Sequence, residues 1–553
     1  MDIHGGFALN KIEDIIDRLL TKRGYGDPFL RNKFLNPNYE DDTYDPYLLN
    51  DMSKAVKRLQ RAKKNHESVY IYGDYDIDGL SATSVLMDAF GAFGIQANAY
   101  IPDRFEEGYG LNIDALKKIK DKGGELVVTV DCGSTSVGVV EQGNNLGLEL
   151  IITDHHTVGE ELPNAVAVIN PKRRDNTYPF IDLAGVGVAF KLVQAMQQKM
   201  EGLDVGQEKW LLDLVALGTV CDVVSLVDEN RVFVKWGLEV WRQTRRPGLQ
   251  ALLEISGVDD PVDINASTMG FRVGPRLNAS GRMKHAQTSL DVMIAGDDNS
   301  ARRIAKALDA FNTERRAEQD RIFQEAKMMA DNDDNPVLIL ANEGWSHGIV
   351  GIVAAKILEK YRKPTFVMEI MPEKRIAKGS ARSFGDFKAV DAVRAFERRI
   401  SGGGHSAAAG ISIKLEDVNH FRETANEYYK SLQLKDQEAH LAVEHDIAFD
   451  DFGLVSTELT QAFKQLAPFG RLNEEPLILL RRAKITSQRL VGAKKNHLQL
   501  VLSDSEGNTT RGIAFNSSEI PYDSADFVVS LQDSSYRPGT VEIIVKKVRQ
   551  TLA

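Results

Sequence analysis

The chain has 553 residues, with 68 Lys+Arg against 79 Asp+Glu for a formal net charge of −11, and 43% hydrophobic residues. That length allows roughly three or four domains with real cores, and this balance of apolar and charged residues excludes wholesale disorder. No run of about 18 apolar residues occurs, which excludes an ordinary membrane span, and two cysteines, Cys132 and Cys221, exclude a disulfide framework or a four-thiolate zinc site. The opening MDIHGGFALNKIEDIIDRLL has no basic segment leading into an apolar one, so no signal peptide is read there. The expectation is a cytoplasmic multidomain protein, net acidic but with room for a local basic track.

In chain order, a short amphipathic helix (Ile12, Ile15, Ile16, Leu19, Leu20) precedes the loop-like NPNYEDDTYDPY, and residues 1–50 form an N-terminal segment with no assigned function. From about residue 52 the helix MSKAVKRLQRAKK leads into the apolar run VYIY (69–72). A helix over 80–93, another over 112–121, LVVTV (126–130) and LELIIT (148–153) follow. Short β-branched runs alternating with helical patterns predict a parallel sheet covered on both faces, in a domain over 51–235 with a helix-rich end. Residues 236–332 end in one long helix over 299–332, which at 1.5 Å per residue would span about 50 Å and could bridge two lobes or lie solvated on the surface. PVLILA (336–341) and PTFVM (364–368) around a helix predict a smaller α/β domain over 333–433. Residues 434–553 read as short strands with turns between them, the pattern of a small antiparallel barrel.

The acids fall at the ends of strands. VYIY runs into Gly73-Asp74-Tyr75-Asp76-Ile77-Asp78-Gly79, LVVTV ends at Asp131, and LELIIT ends at Asp154-His155-His156. Asp222 follows LLDLVALGTV. Open parallel sheets bind ligands at the carboxyl ends of their strands. Carboxylates gathered there repel unless cations lie among them, and oxygen-rich sets with an imidazole suit Mg²⁺ or Mn²⁺. Singly, each feature has a plainer reading: a turn, a helix cap or a structural histidine. A calcium loop of the EF-hand type fails because its twelfth position, counted from Asp74, is Val85. The two cysteines read as small buried packing residues.

With GDYDIDG, IPDRFEEGYGL (101–111), VDCG, TDHH and GTVCDVVSLVDENR (218–231) in this order, the chain resembles the DHH phosphoesterases, and among them the RecJ-type single-strand DNA exonucleases. FRVGPRLNASGRM (271–283), GWSHGIVGIVAAK, SARS, GGGHSAAAG and LAPFGRLNEEP extend the resemblance over nearly the whole chain. It implies a DHH parallel-sheet domain and a smaller DHH-associated α/β domain joined by the long helix, with a C-terminal OB-type β-barrel. It further implies two divalent cations, Mn²⁺ or Mg²⁺, on Asp76, Asp78, Asp131, His155 and Asp222, with Asp131 as the bridge and Asp74 and His156 beside them. Tyr72 stands where broader DHH phosphoesterases begin their first motif with His, and Asp74 is expected to substitute for it.

FRVGPRLNASGRMKH carries Arg272, Arg276, Arg282 and Lys284 without an acid, and its residues alone fit a solvated basic loop or a phosphate-binding one equally well. The resemblance favours phosphate, and implies that Arg104, Arg276, Arg282, Ser380 and Arg382 hold the 5′-terminal phosphate or nearby backbone, with Tyr109 stacking on a base. Gly402, Gly403, Gly404 and His405 are either a tight turn into a helix or, as the resemblance implies, backbone donors and an imidazole at the scissile phosphate. Arg481, Arg482, Lys484, Arg489, Lys494 and Lys495, in a 28-residue stretch without an acid, read as a single-strand track or as edge-protecting charges.

The resulting expectation is a metal-dependent 5′→3′ exonuclease that degrades single-stranded DNA to 5′-mononucleotides, serving repair or recombination, and a monomer that does not engage a membrane. A helicase and a single-strand-binding protein are the further partners of such an enzyme. Two other readings stand beside it: a DHH phosphodiesterase for short oligonucleotides or cyclic dinucleotides, and an inactive DHH scaffold that binds DNA.

Overall fold

The computed structural model describes residues 3–108, 110–434, 444–493, 495–534 and 537–550. Five strands, β1 (Val69–Gly73), β2 (Ala97–Tyr100), β3 (Leu126–Val130), β4 (Glu149–Thr153) and β5 (Ala167–Ile169), form a wholly parallel sheet in the order β2-β1-β3-β4-β5. β1 and β3 are buried at every position because helices cover both faces, which is why these runs are continuously apolar rather than alternating. The chain leaves β1 to one side and β3 to the other. The crevice at their carboxyl ends is the switch point where open sheets of this order bind ligands.

The helix Asp298–Ala330 runs for 33 residues. Its first half buries Ala301, Ala305 and Leu308 in the core of the parallel-sheet domain, and its second half buries Ile322, Ala326 and Ala330 against the next domain. It therefore bridges two lobes and is not a solvated surface helix. The second lobe is a mixed sheet, β6 (Leu338–Glu343), β7 (Thr365–Met371), β8 (Ile376–Arg382), β9 (Ser401–Gly404) and β10 (Ala408–Lys414), in the order β6-β7-β8-β10-β9. Gly402, Gly403 and Gly404 thus lie in an exposed edge strand paired with β10, not in a loop or at the start of a helix.

The C-terminal part adds β11 (Ile447–Phe449), β12 (Ile478–Val491), β13 (His497–Ser503), β14 (Thr509–Ala514), β15 (Ser524–Asp533) and β16 (Val541–Gln550). Pairing of β12 with β15 closes the last five into a barrel, antiparallel except for the parallel β14–β16 pair. Its core is completed by the N-terminal segment: Ile12, Ile15, Leu19, Leu20 and Phe34 pack among Phe452, Leu480, Leu500 and Phe527. Residues from Ile12 to Phe34 thus share the barrel's core, while Tyr39 and Leu49 pack into the core of the parallel-sheet domain. The helix Ile3–Lys22 carries an apolar face that the barrel buries. The fully buried Arg231 ties this assembly to the parallel-sheet domain, donating to the carbonyls of Phe34, Ala467 and Pro468.

The stretch FRVGPRLNASGRMKH (271–285), read from sequence as a basic loop, is largely helical: a π-helix over Thr268–Val273 continues into the helix Gly274–Met283. Pro275 lies just inside that helix, and its missing N–H interrupts the backbone ladder where the π segment passes into the α-helix. Among the described residues no helix is long and apolar enough to cross a membrane.

Candidate metal centre and nucleic-acid cleft

At the carboxyl edge of the parallel sheet the chain gathers Asp74 and Asp76 after β1, Asp131 after β3, His155 and His156 after β4, and Asp222 at the end of the helix Leu212–Cys221. Potential ligand atoms fall into three overlapping groups, each within 4.8 Å: Asp74, Asp76 and Asp131; Asp131, His155 and His156; and Asp78, His155 and Asp222. His155 Nε2 stands 3.1 Å from Asp131 Oδ1, 3.6 Å from Asp222 Oδ2 and 3.8 Å from Asp78 Oδ2. Every expected acid and imidazole except His405 converges here. His405 lies exposed at the β9–β10 turn, its backbone N–H bonded to the Ala408 carbonyl.

Local structure aims each donor. Asp76 caps the helix Ile77–Phe93, one oxygen accepting from the N–H groups of Asp78 and Gly79, which leaves the other oxygen for the cleft. Asp78 accepts from the N–H groups of Gly185 (2.7 Å) and Val186 (2.9 Å) at the start of the helix Gly185–Gln197. Gly185 is required there: a Cβ on it would lie 2.6 Å from Asp131 Oδ1. Asp131 itself has φ 60°, a left-handed conformation uncommon outside glycine. His155 Nδ1 bonds the Leu183 carbonyl at 3.0 Å, so Nδ1 carries the proton and Nε2 presents its lone pair to the acids.

Electrostatics make this arrangement unstable by itself. Burial, then the charges of Asp78, Asp76, Asp74 and Asp222, holds Asp131 well above the usual carboxylate range. Burial followed by Asp76 pushes Asp78 up to about 7, and burial followed by Asp78 and Asp76 pushes Asp222 up to about 8. Burial, then the neighbouring His156, takes His155 down to about 3, keeping it neutral. Asp131 Oδ1, Asp74 Oδ1 and His155 Nε2 are buried with no hydrogen-bond partner among the described residues. A neutral imidazole and several carboxylates with orphaned lone pairs facing one another form a donor set that hard divalent cations fit.

Sequence reasoning missed the layer behind these donors. Asp154 accepts from the His155 and His156 N–H groups and from His156 Nδ1 at 2.8 Å, while its other oxygen accepts from the Ser134 N–H. Burial would raise Asp154, but its bonds to His156 hold it well below the usual range. Burial would likewise lower His156, yet Asp154 holds its imidazolium up to about 9. The Asp directly preceding the histidine pair was the available signal.

A cleft of about 230 Å³ adjoins the acids, lined by Asp74, Tyr75, Asp76, Arg104, Asn278, Gly281 and Arg282. Arg104 lies over the Tyr75 ring, 5.0 Å from its centroid. Arg282 crosses between lobes to donate to the Gly348 carbonyl at 2.9 Å. Burial, then the like charges of Arg104, Arg315 and Arg382, brings its guanidinium down to about 10. Arg104 and Arg282 line this cleft, and Arg315 on the bridging helix and Arg382 on β8 stand close enough to repel the Arg282 charge, so the four make one positively charged basin. Arg315 was not anticipated; it is held by Asn312 and Gln319, and its buried Nε has no partner among the described residues. Ser380 and Arg382 on β8 face the helix His347–Tyr361 at Gly351, where a Cβ would come within 3.3 Å of the Ser380 side chain.

Other expected contacts lie elsewhere. Arg276 is held by Asp309 and by the Arg272 and Ile255 carbonyls, so its guanidinium is occupied by protein partners. Arg481 and Arg482 both pair with Asp450, so two of the charges read as uncompensated have an acid partner from outside their stretch. Arg489 donates to Gln499, and Lys484 and Lys495 are exposed. Tyr109 and Lys494 lie outside the described residues.

A parallel sheet with this acid and imidazole edge, a mixed-sheet second lobe and a bridging helix define a DHH-type protein. Matches to the DHH family N-terminal domain over residues 68–219, the DHHA1 domain over 334–431 and the RecJ OB domain over 447–547 agree. The single-stranded-DNA-specific exonuclease RecJ of Bacillus subtilis (strain 168) is 37% identical over 514 residues, 92% of this chain and 64% of that protein. The protein of the same description from Dickeya dadantii (strain 3937) is 34% identical over 502 residues, 85% of this chain and 84% of that one. The crystal structure of RecJ from Thermus thermophilus in complex with Mn²⁺ superposes with a TM-score of 0.83 at 26% identity, over 98% of this chain and 76% of that one. The chain belongs to the RecJ family of single-stranded-DNA-specific exonucleases.

Proposed function

We propose that this chain hydrolyses single-stranded DNA from its 5′ end, releasing 5′-mononucleotides with the help of two Mn²⁺ or Mg²⁺ ions. The observation that carries the reading is the set of buried, partnerless donors on Asp74, Asp131 and His155 beside a basin of four arginines. Asp74, Asp76 and Asp131 would hold one ion and Asp78, His155 and Asp222 the other, with Asp131 between them. Bound there, such ions activate water and offset charge on the phosphoryl oxygens.

The chain's own residues do the rest. His156, oriented by the 2.8 Å bond from its Nδ1 to Asp154 and grouped with Asp131 and His155, would contact a non-bridging phosphate oxygen. Arg104, Arg282, Arg315 and Arg382 would clamp the 5′-terminal phosphate, setting how far the strand advances and so which bond reaches the acids. Lys484, Arg489 and Lys495 would guide the strand over the barrel. We further assign the enzyme to the cytoplasm and to repair or recombination, as the family resemblance implies.

Digestion of single strands labelled at either end, with and without a 5′ phosphate, tests this reading. Labelled mononucleotide released first from the 5′ end, and faster when that end is phosphorylated, is expected. Release from the 3′ end, or cleavage of dinucleotides alone, would overturn it.

A further inference from the structure

Two aliphatic side chains occupy positions that bring the free protein no stability. Val223 directly follows Asp222, has φ 60° and is 61% exposed; Leu472 has φ 62° and is also 61% exposed. A left-handed backbone is unfavourable for any branched residue and is a genuine outlier for a β-branched one. A side chain left mostly exposed recovers little of that through burial. The contrast with the same loop is sharp, since Val224 and Leu226 are buried.

The two residues stand on loops that are fastened together. The Leu226 N–H donates to the Arg471 carbonyl at 2.8 Å, and Gly470 packs so closely that a Cβ there would come within 2.6 Å of Leu226 Cδ1. These contacts make one ledge of the loop after Asp222 and the segment that leads into the barrel at β12.

We propose that Val223 and Leu472 are substrate-contacting residues, packing against unstacked bases and sugars of the strand as it passes from the barrel to the acid cluster. The inference rests on the nuclease reading above and adds the apolar half of strand recognition. A single strand exposes the base faces that a duplex hides by stacking, so apolar contacts on this ledge favour single strands, much as apolar wedges engage unstacked steps elsewhere. Val223, next to Asp222, would meet the nucleotides nearest the scissile bond, and Leu472 those further along.

The test uses Val223→Asn and Leu472→Asn in the full chain, because Asn tolerates the left-handed conformation. Each variant is expected to melt at the wild-type temperature or above it while KM for a long single strand rises about 5- to 20-fold with kcat little changed. Val223→Asn should also raise KM for a trinucleotide, whereas Leu472→Asn should not, and Val223→Ile should retain wild-type KM. Wild-type KM in both Asn variants, or weakened activity that only follows a lowered melting temperature, would overturn the ledge. A wild-type protein inactive on every single strand would instead overturn the nuclease reading beneath it.

Discussion

The Tyr72 hydroxyl donates to the Gly110 carbonyl at 2.9 Å, joining the strand that leads into the acid cluster to the loop that carries Arg104. Asn112 Nδ2 donates to the same hydroxyl at 3.1 Å, and the Tyr72 ring stacks on Tyr100 with centroids 5.4 Å apart. Tyr100 in turn donates to Glu107 at 2.7 Å, and the other Glu107 oxygen accepts from the Asp103 N–H. Tyr72 thus anchors the loop that carries Arg104. Tyr72→Phe removes one buried hydrogen-bonding group, about 1 kcal/mol. KM for 5′-phosphorylated single strands is expected to rise about fivefold while kcat and Mn²⁺ affinity stay near wild type, as steady-state kinetics and calorimetry would show.

Both Asp154 oxygens are taken up by protein donors at Ser134, His155 and His156, so it orients His156 and the chain at His155. Outer-layer partners of this kind typically change metal affinity or activity by about 10- to 100-fold. Asp154→Asn keeps the shape but withdraws the charge that holds His156 protonated. A loss in that range, with the alkaline limb of the rate profile moved to lower pH, is expected from pH-dependent kinetics.

Arg315 reaches the arginine basin from the bridging helix, where Asn312 and Gln319 fix its fork. Arg315→Met preserves the aliphatic stem and removes the charge. The preference for 5′-phosphorylated over 5′-hydroxyl strands is expected to fall about tenfold, with rates on the hydroxyl substrate unchanged.

The metal-free protein should lose stability as pH rises above 7. Asp78 at about 7, Asp222 at about 8 and His156 at about 9 all titrate above their unfolded values. The folded chain therefore holds protons that the unfolded chain has released, and that contribution to stability disappears as pH passes through the folded values. His155, lowered to about 3, has the opposite sign, but its contribution changes little above its unfolded value near 6.5. Thermal unfolding is expected at a lower temperature at pH 8.5 than at pH 7, with Mg²⁺ removing most of the difference.

Much of the centre was legible because its acids terminate buried strands: runs such as LVVTV are continuously apolar, punctuated and local. Arg315 was not legible, since one arginine in a long polar helix looks like any solvated charge until the helix is seen to bridge two lobes. Nor was the packing of Leu19 and Leu20 against a barrel more than 400 residues away; amphipathicity marks an apolar face without naming its partner. The glycines at 402, 403 and 404 misled for a related reason. Glycine has weak strand preference, and only the pairing with β10 makes that segment a strand. Asp450 escaped notice because its pairing with Arg481 and Arg482 is tertiary.

The central claim is that Asp131, shared by two of the donor groups, would help to hold both dications. Calorimetric titration of metal-free protein with Mn²⁺, in wild type and Asp131→Asn, tests it most directly. Two ions per wild-type chain, with both sites weakened in the variant alongside loss of nuclease activity, is the predicted result. A wild-type chain that binds no ion, or a variant that still binds two with unchanged affinity, would contradict it.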